Sequence, residues 1–320
     1  MKRSFVLSVV IICFVLTLGT FSTAKADTVL FPVIATNYPY VTTIVSVTNQ
    51  GPTFTHLNYI YSYKPALIGG VPNYTGGCAV YNRVRPTWEP DVVSFDASGA
   101  FNAGWALFND PDSYGGPFHL PVSGPYRAYL LVRNSDAAGN SVDVGSDFLL
   151  RGEAIIMDIF SGAAWGYRAV NDTTREDFTF DPANLVNSVD SGDTVRFSFF
   201  PPNEWTTRFF VTPVGANMHA IDLTSTINLY RARPAVTGIH GRGMVIYTFN
   251  VPQLVRCTAA VDLRDLMDAT TWAALSSTGG WGRIGISAGS SAYIYKLEYV
   301  VSNPTYGGTN NNAYLLSVFD

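Results

Sequence analysis

Charge is scarce in this chain. Lysine, arginine, aspartate and glutamate make up 14% of its 320 residues, against roughly 25% in ordinary soluble domains. The net charge is −4 and no basic run occurs, so the electrostatic footprint of a nucleic-acid or anionic-lipid binder is missing. Histidine occurs four times, at His56, His119, His219 and His240. No two are spaced as a metal-binding pair and no Cys-x-x-Cys occurs. No glycine-rich phosphate loop stands between a strand and a helix. No apolar run after residue 26 approaches the roughly 20 residues that a spanning helix needs. Composition and motif therefore assign no catalytic residue, no cofactor and no metal.

The chain does carry an export leader. Lys2 and Arg3 precede an apolar run from Phe5 to Leu18, and Ala24-Lys25-Ala26 supplies a small-x-small cleavage site. That is the basic start, apolar core and cutting site of a secretory signal peptide over residues 1–26. Ile12 before Cys13 is too large for a lipoprotein site. Cleavage after Ala26 removes three basic residues and takes the net charge from −4 to −7. The leader's style points to a bacterial envelope, with the mature chain in the periplasm, at the cell surface or secreted.

Aromatic and turn-forming residues are plentiful. There are 20 Phe, 18 Tyr and 6 Trp, with 28 Gly and 18 Pro spread along the chain. Thr42 to Thr48 is β-branched and stops at Asn49-Gln50-Gly51. His56 to Tyr63 alternates, with Leu57, Tyr59, Tyr61 and Tyr63 on one side of a pleat. Many short strands with Gly-rich turns predict an all-β protein built from sandwiches of jelly-roll or immunoglobulin type, with little helix. The best helical stretch is Asp262 to Leu275, with Asp262 as its N-cap and a break at Thr270-Thr271.

The mature chain reads as duplicated. Asp27-Thr28-Val29-Leu30-Phe31 returns as Asp193-Thr194-Val195-Arg196-Phe197, and Thr42-Thr43 as Thr206-Thr207. One cysteine follows in each copy, then Trp105 and Trp272, then Ala128-Tyr129 and Ala292-Tyr293. Last, residues 154–160 match residues 313–319. One order at nearly one offset predicts two tandem homologous units. They span residues 27–192, with a connecting tail at 161–192, and residues 193–320.

Several residues invite chemistry. Gly285-Ile286-Ser287-Ala288-Gly289 fits the hydrolase nucleophile pattern. No helix is expected after it and no histidine follows it in the chain, so a hairpin turn is the expectation. Asp136, Asp143 and Asp147 make an oxygen-rich loop without calcium-site spacing. Two further acidic groups, Glu89, Asp91 and Asp96, and Asp172, Glu176 and Asp177, give no pair at a known separation. Repeat position favours core packing for Trp105 and Trp272, while Trp281 after Gly279-Gly280 is expected to be the tryptophan most exposed, as a core or rim residue rather than a platform for a sugar ring. Cys78 and Cys257 are the only mature cysteines. They form either a bridge between the units or two separate buried thiols, and export favours the bridge. The functional expectation is a structural, adhesive or surface-binding protein, with a glycan, a cell surface or its own copies as partner. The alternative is an extracellular hydrolase acting on polysaccharide or ester.

Overall fold

The computed structural model describes residues 28–51, 55–88, 90–108, 116–142, 150–159, 163–172, 188–218, 223–232, 236–300 and 313–318. The leader expected at residues 1–26 lies outside them, as do Glu89, Asp143, Asp147, Glu176, Asp177, His219 and most of the tail expected at residues 161–192. The first half holds β1 (Thr28–Asn37), β2 (Val41–Asn49), β3 (Thr55–Pro65) and a small hairpin of β4 (Leu67–Ile68) and β5 (Val71–Pro72). It continues with β6 (Ala79–Thr87), β7 (Asp91–Asp96), β8 (Pro125–Ser135), β9 (Leu150–Asp158), β10 (Ala163–Arg168) and β11 (Val170–Asp172). The second half opens with β12 (Thr194–Phe199), β13 (Thr206–Pro213), β14 (Thr224–Ala232), β15 (Val236–Thr237), β16 (Ile239–Gly241) and β17 (Ile246–Tyr247). Then come β18 (Gln253–Arg256), β19 (Ala259–Asp262), α1 (Ala269–Leu275), β20 (Gly280–Gly289), β21 (Ala292–Val300) and β22 (Ala313–Val318). The protein is all-β with several antiparallel sheets, as its composition predicts. Among the described residues α1 is the one α-helix.

The helix does not start where sequence placed it. A 3-10 turn at Leu263–Leu266 comes first. Asp268 then caps α1, its carboxylate accepting from Thr270 N and Thr271 N. Thr270-Thr271 is thus the first turn rather than the break, because Asp268 satisfies the amide donors that a helix start leaves unpaired.

Each half packs two layers face to face. In the first, β1, β8, β3 and β6 pair in that order, and β7, β2, β9 and β10 in theirs. The two sets join through one corner pairing, Asn37 with Val41. Across the layers Tyr59 of β3 meets Phe95 of β7 edge to face at 5.6 Å. Phe31 of β1 lies under Gly152 of β9, where a Cβ would stand 2.2 Å from its ring. In the second half β12, β20, β14 and β18 pair in order, and β19, β13, β21 and β22 likewise. Phe197 of β12 and Phe209 of β13 meet at 5.1 Å across those layers.

The same pairing pattern thus occurs twice, in the same chain order. Thr42 on β2 and Thr206 on β13 hold matching places in it. Ala128 and Ala292 do not: β8 bonds β1, whereas β21 bonds β13. In this pattern β8 matches β20, and β9 matches β21 rather than β22. The two later sequence matches are therefore displaced by one strand, since alternating aromatic strands resemble one another whatever their place.

The halves share a core. On β13, Phe209 and Val211 face the second half's interior, while Phe210 joins the core of the first. On β21, Ile294 faces one way, and Tyr293, Tyr295 and Leu297 the other. Period 2 explains how one strand serves two cores, and burial on both faces explains its continuous apolar run. Trp165 packs on Phe210 at 5.2 Å and Tyr167 on Tyr295 at 5.4 Å.

Candidate functional site

The hydrolase-like motif lies within β20 and no helix follows it. Ser287 is exposed, and its hydroxyl donates to the Thr226 carbonyl at 3.0 Å. Asp136 accepts from Ala138 N and Asn140 N at 2.9 Å each and from the Asn140 amide at 2.8 Å. It closes its own turn, and its pKa falls for that reason, with the Asn140 side chain contributing most. Asp96 is fully buried and accepts from Ser98 N, Ser98 Oγ, Phe101 N and Thr42 Oγ1. Asp91 is also buried and accepts from Thr87 Oγ1 at 2.9 Å. Among the described residues no group of His, Cys, Asp and Glu is arranged to hold a metal ion.

Lys64 looks reactive at first. Burial, with the Arg256 charge second, lowers its pKa to about 7. Its ammonium group, however, donates to the carbonyls of Tyr74 (2.9 Å), Gly76 (3.2 Å) and Arg256 (2.7 Å). All three protons are spent on main-chain acceptors, so Lys64 ties the halves together instead of attacking a substrate. Cys78 and Cys257 lie beside this tie, at disulfide distance with Cα atoms 6.0 Å apart. They are not equivalent positions of the two halves: Cys78 precedes β6, whereas Cys257 follows β18.

Two surfaces among the described residues bring aromatic or charged side chains together. The first is the outer face of the second half's larger sheet. Trp281 of β20 is 46% exposed. Its indole stacks parallel to the His240 ring, centroids 3.9 Å apart. His240 is held by the Arg231 carbonyl, 2.9 Å from its Nε2. Trp281 stands opposite His240 on β16 and Ser198 on β12, and His240 opposite Ile246 on β17. Directly paired residues share a face, so Ile246, His240, Trp281 and Ser198 form one row across four strands. Trp105 is equally exposed, contrary to the core packing expected from its repeat position. Trp272 does pack against the second core.

The second surface is a cleft of about 240 Å³ where the halves meet. Arg127 of β8 and Arg208 of β13 line it with Asp262 of β19, and Leu67, Pro72 and Pro125 form apolar walls. Arg208 makes a two-pronged bond to Asp262, at 2.6 and 3.0 Å. Burial opposes its charge, but the Asp262 carboxylate outweighs burial and raises its pKa. Arg127 has no such partner. Its Nη1 donates to the neighbouring Tyr126 carbonyl at 3.0 Å, and its Nε is buried without an acceptor among the described residues. Burial first, and the Arg208 charge second, bring its pKa down to about 10. Sequence reading missed this cleft because its residues come from distant segments, each ordinary alone.

No protein-family model matches the chain, and no curated protein does. No helix among the described residues is long and apolar enough to cross a membrane.

Proposed function

We propose that this is an exported protein of the cell envelope or extracellular space, made of two homologous β-sandwich units, with an adhesive or glycan-binding role. The repeated pairing pattern supports a duplicated origin. Export rests on the leader at residues 1–26. A disulfide between Cys78 and Cys257 would fit an oxidising compartment.

One observation carries the binding role: the exposed row centred on Trp281. An indole stacked on a fixed imidazole is a rigid platform that loses little entropy when something stacks on it. Sugar rings present apolar C–H faces to such platforms, and Ser198 beside the indole offers a hydroxyl to theirs. The hydrolase reading has no comparable support, since the Ser287 hydroxyl is engaged by a main-chain carbonyl.

A glycan array and a surface-adhesion assay on the mature protein test this reading. Trp281→Ala should reduce the glycan or surface signal about two- to tenfold, the size expected for losing one stacked aromatic contact of about 0.5–1.5 kcal/mol. Its thermal midpoint should stay nearly unchanged, because the side chain is exposed. An identical binding pattern for the variant would remove this surface from consideration.

A further inference from the structure

We propose that the cleft between the halves binds an acidic sugar residue of the uronic-acid type, with its carboxylate on Arg127. Arg127 is the group that decides the chemistry. It is an arginine that lines the cleft with its Nε buried, and it has one hydrogen bond among the described residues, to its own neighbour's carbonyl. Arg208 beside it already has Asp262. The charged residues lining the cleft are therefore two arginines and one aspartate, one positive charge in excess within an acidic chain. That excess matches a monoanion. A planar guanidinium fork is also shaped for a carboxylate.

Size and walls restrict the rest of the ligand. At about 240 Å³ the cleft is smaller than the ~300–1,000 Å³ of sites that enclose drug-sized molecules. It suits one ring of a longer chain that runs out into solvent. Leu67, Pro72 and Pro125 give an apolar wall for the C–H face of a sugar. An extended acidic peptide would need main-chain pairing along the wall, and Pro72 and Pro125 have no N–H to offer it. Tyr74 also lines the cleft, its hydroxyl donating to Asp265 at 2.5 Å. This inference is independent of the Trp281 row, which lies on another face of the second half.

The test uses the full mature protein with free galacturonate, galactose and inorganic phosphate, read by ligand-observed NMR and by thermal shift. Galacturonate should bind and raise the midpoint, and galactose should not. Arg127→Met should weaken galacturonate binding about 10- to 100-fold, the range for losing charged hydrogen bonds. The same variant should keep or raise the unliganded midpoint, because it removes a desolvated charge that has no partner. Trp88→Ala, at the opposite end of the β3–β6 pair, should bind as the wild type does. If Arg127→Met fails to fold, Arg127→Lys keeps a charge but loses the fork, and should still weaken binding. Unchanged galacturonate binding in the Arg127 variants would overturn the proposal. So would phosphate binding without galacturonate binding, or no galacturonate response in the wild type.

Discussion

His119 sits where two distant glycines leave room for a ring. Gly104 has φ +73, and a Cβ there would lie 2.1 Å from the imidazole Nδ1; Gly99, at φ +76, approaches from the other side. Nδ1 is buried without a partner among the described residues. Burial lowers the His119 pKa, the Asp96 carboxylate opposes that shift, and the Arg83 charge adds to it. The folded protein thus holds the proton less tightly than the unfolded chain, whose histidine titrates near ~6.5. Stability is fully present above about pH 6.5 and declines below it, because the unfolded chain then binds the proton first. Urea midpoints for wild type and His119→Gln should therefore diverge less at pH 5.5 than at pH 7.5 where the wild type is favoured. Parallel midpoints at the two pH values would show that His119 does not titrate with folding. None of this is legible in the sequence around Phe118-His119-Leu120, which reads as an ordinary loop. The glycines that set the pocket stand at least 15 residues away and matter only once the chain is folded.

At the level of elements, the strands whose apolar and polar residues alternate were the most legible. β3 alternates in sequence, and the side read from Leu57, Tyr59 and Tyr61 is buried; its other face, with Asn58, Ile60 and Ser62, is buried too, but the polar residues there keep the alternation readable. β13 and β21 were harder, because a continuous apolar run covered on both sides has no polar phase to mark its role. That is why Ala292 was matched to Ala128 when their strands pair differently. β21 also carries a feature that residue type alone would place at a surface. Lys296 and Glu298 form an ion pair at 2.8 Å, with side chains only 3% and 1% exposed. Glu298 Oε1 accepts from Phe200 N at 2.7 Å and Thr207 Oγ1 at 3.1 Å, while Lys296 donates to the Ser198 carbonyl at 2.7 Å. The pair thereby fixes the corner where β12 gives way to β13. Removing one charge leaves the other buried and uncompensated. Glu298→Gln should cost about 3–5 kcal/mol, whereas Lys296→Met combined with Glu298→Leu should cost much less. Chemical denaturation of the three proteins checks this. Equal losses for the single and double variants would mean that the corner needs the hydrogen bonds and not the charge balance.

For the whole molecule the question is what keeps two halves in one arrangement. Part of the answer is apolar: Phe210, Tyr293, Tyr295 and Leu297 enter the first half's core. Polar ties reinforce it, with Thr212 Oγ1 donating to the Pro32 carbonyl at 2.6 Å and Tyr129 to the Met218 carbonyl at 2.8 Å. The Cys78–Cys257 pair lies at the same junction, next to the Lys64 tie. Sequence reading placed one cysteine in each copy and favoured the bridge from export, but the two cysteines do not hold equivalent positions in the halves. The cysteines come together because the segment before β6 and the turn after β18 are both gathered around the Lys64 ammonium. A bridge here spans 179 residues, so in the chain-entropy model its stabilisation is about 5 kcal/mol. That contribution acts by restricting the unfolded chain, and the native ties remain when the bond is cut. The mature protein, digested without reduction, should therefore yield one peptide pair joined through Cys78 and Cys257. After reduction it should keep its near-ultraviolet circular dichroism at room temperature while its denaturation midpoint falls. Cys78→Ser with Cys257→Ser should reproduce that fall without reductant. Alkylation of both thiols in the unreduced protein would show that the bridge does not form, leaving the junction to Lys64 and the shared core. A reduced protein that loses its tertiary signal would show instead that the bond holds the native arrangement directly, and that the carbonyl ties around Lys64 are too weak to do so alone.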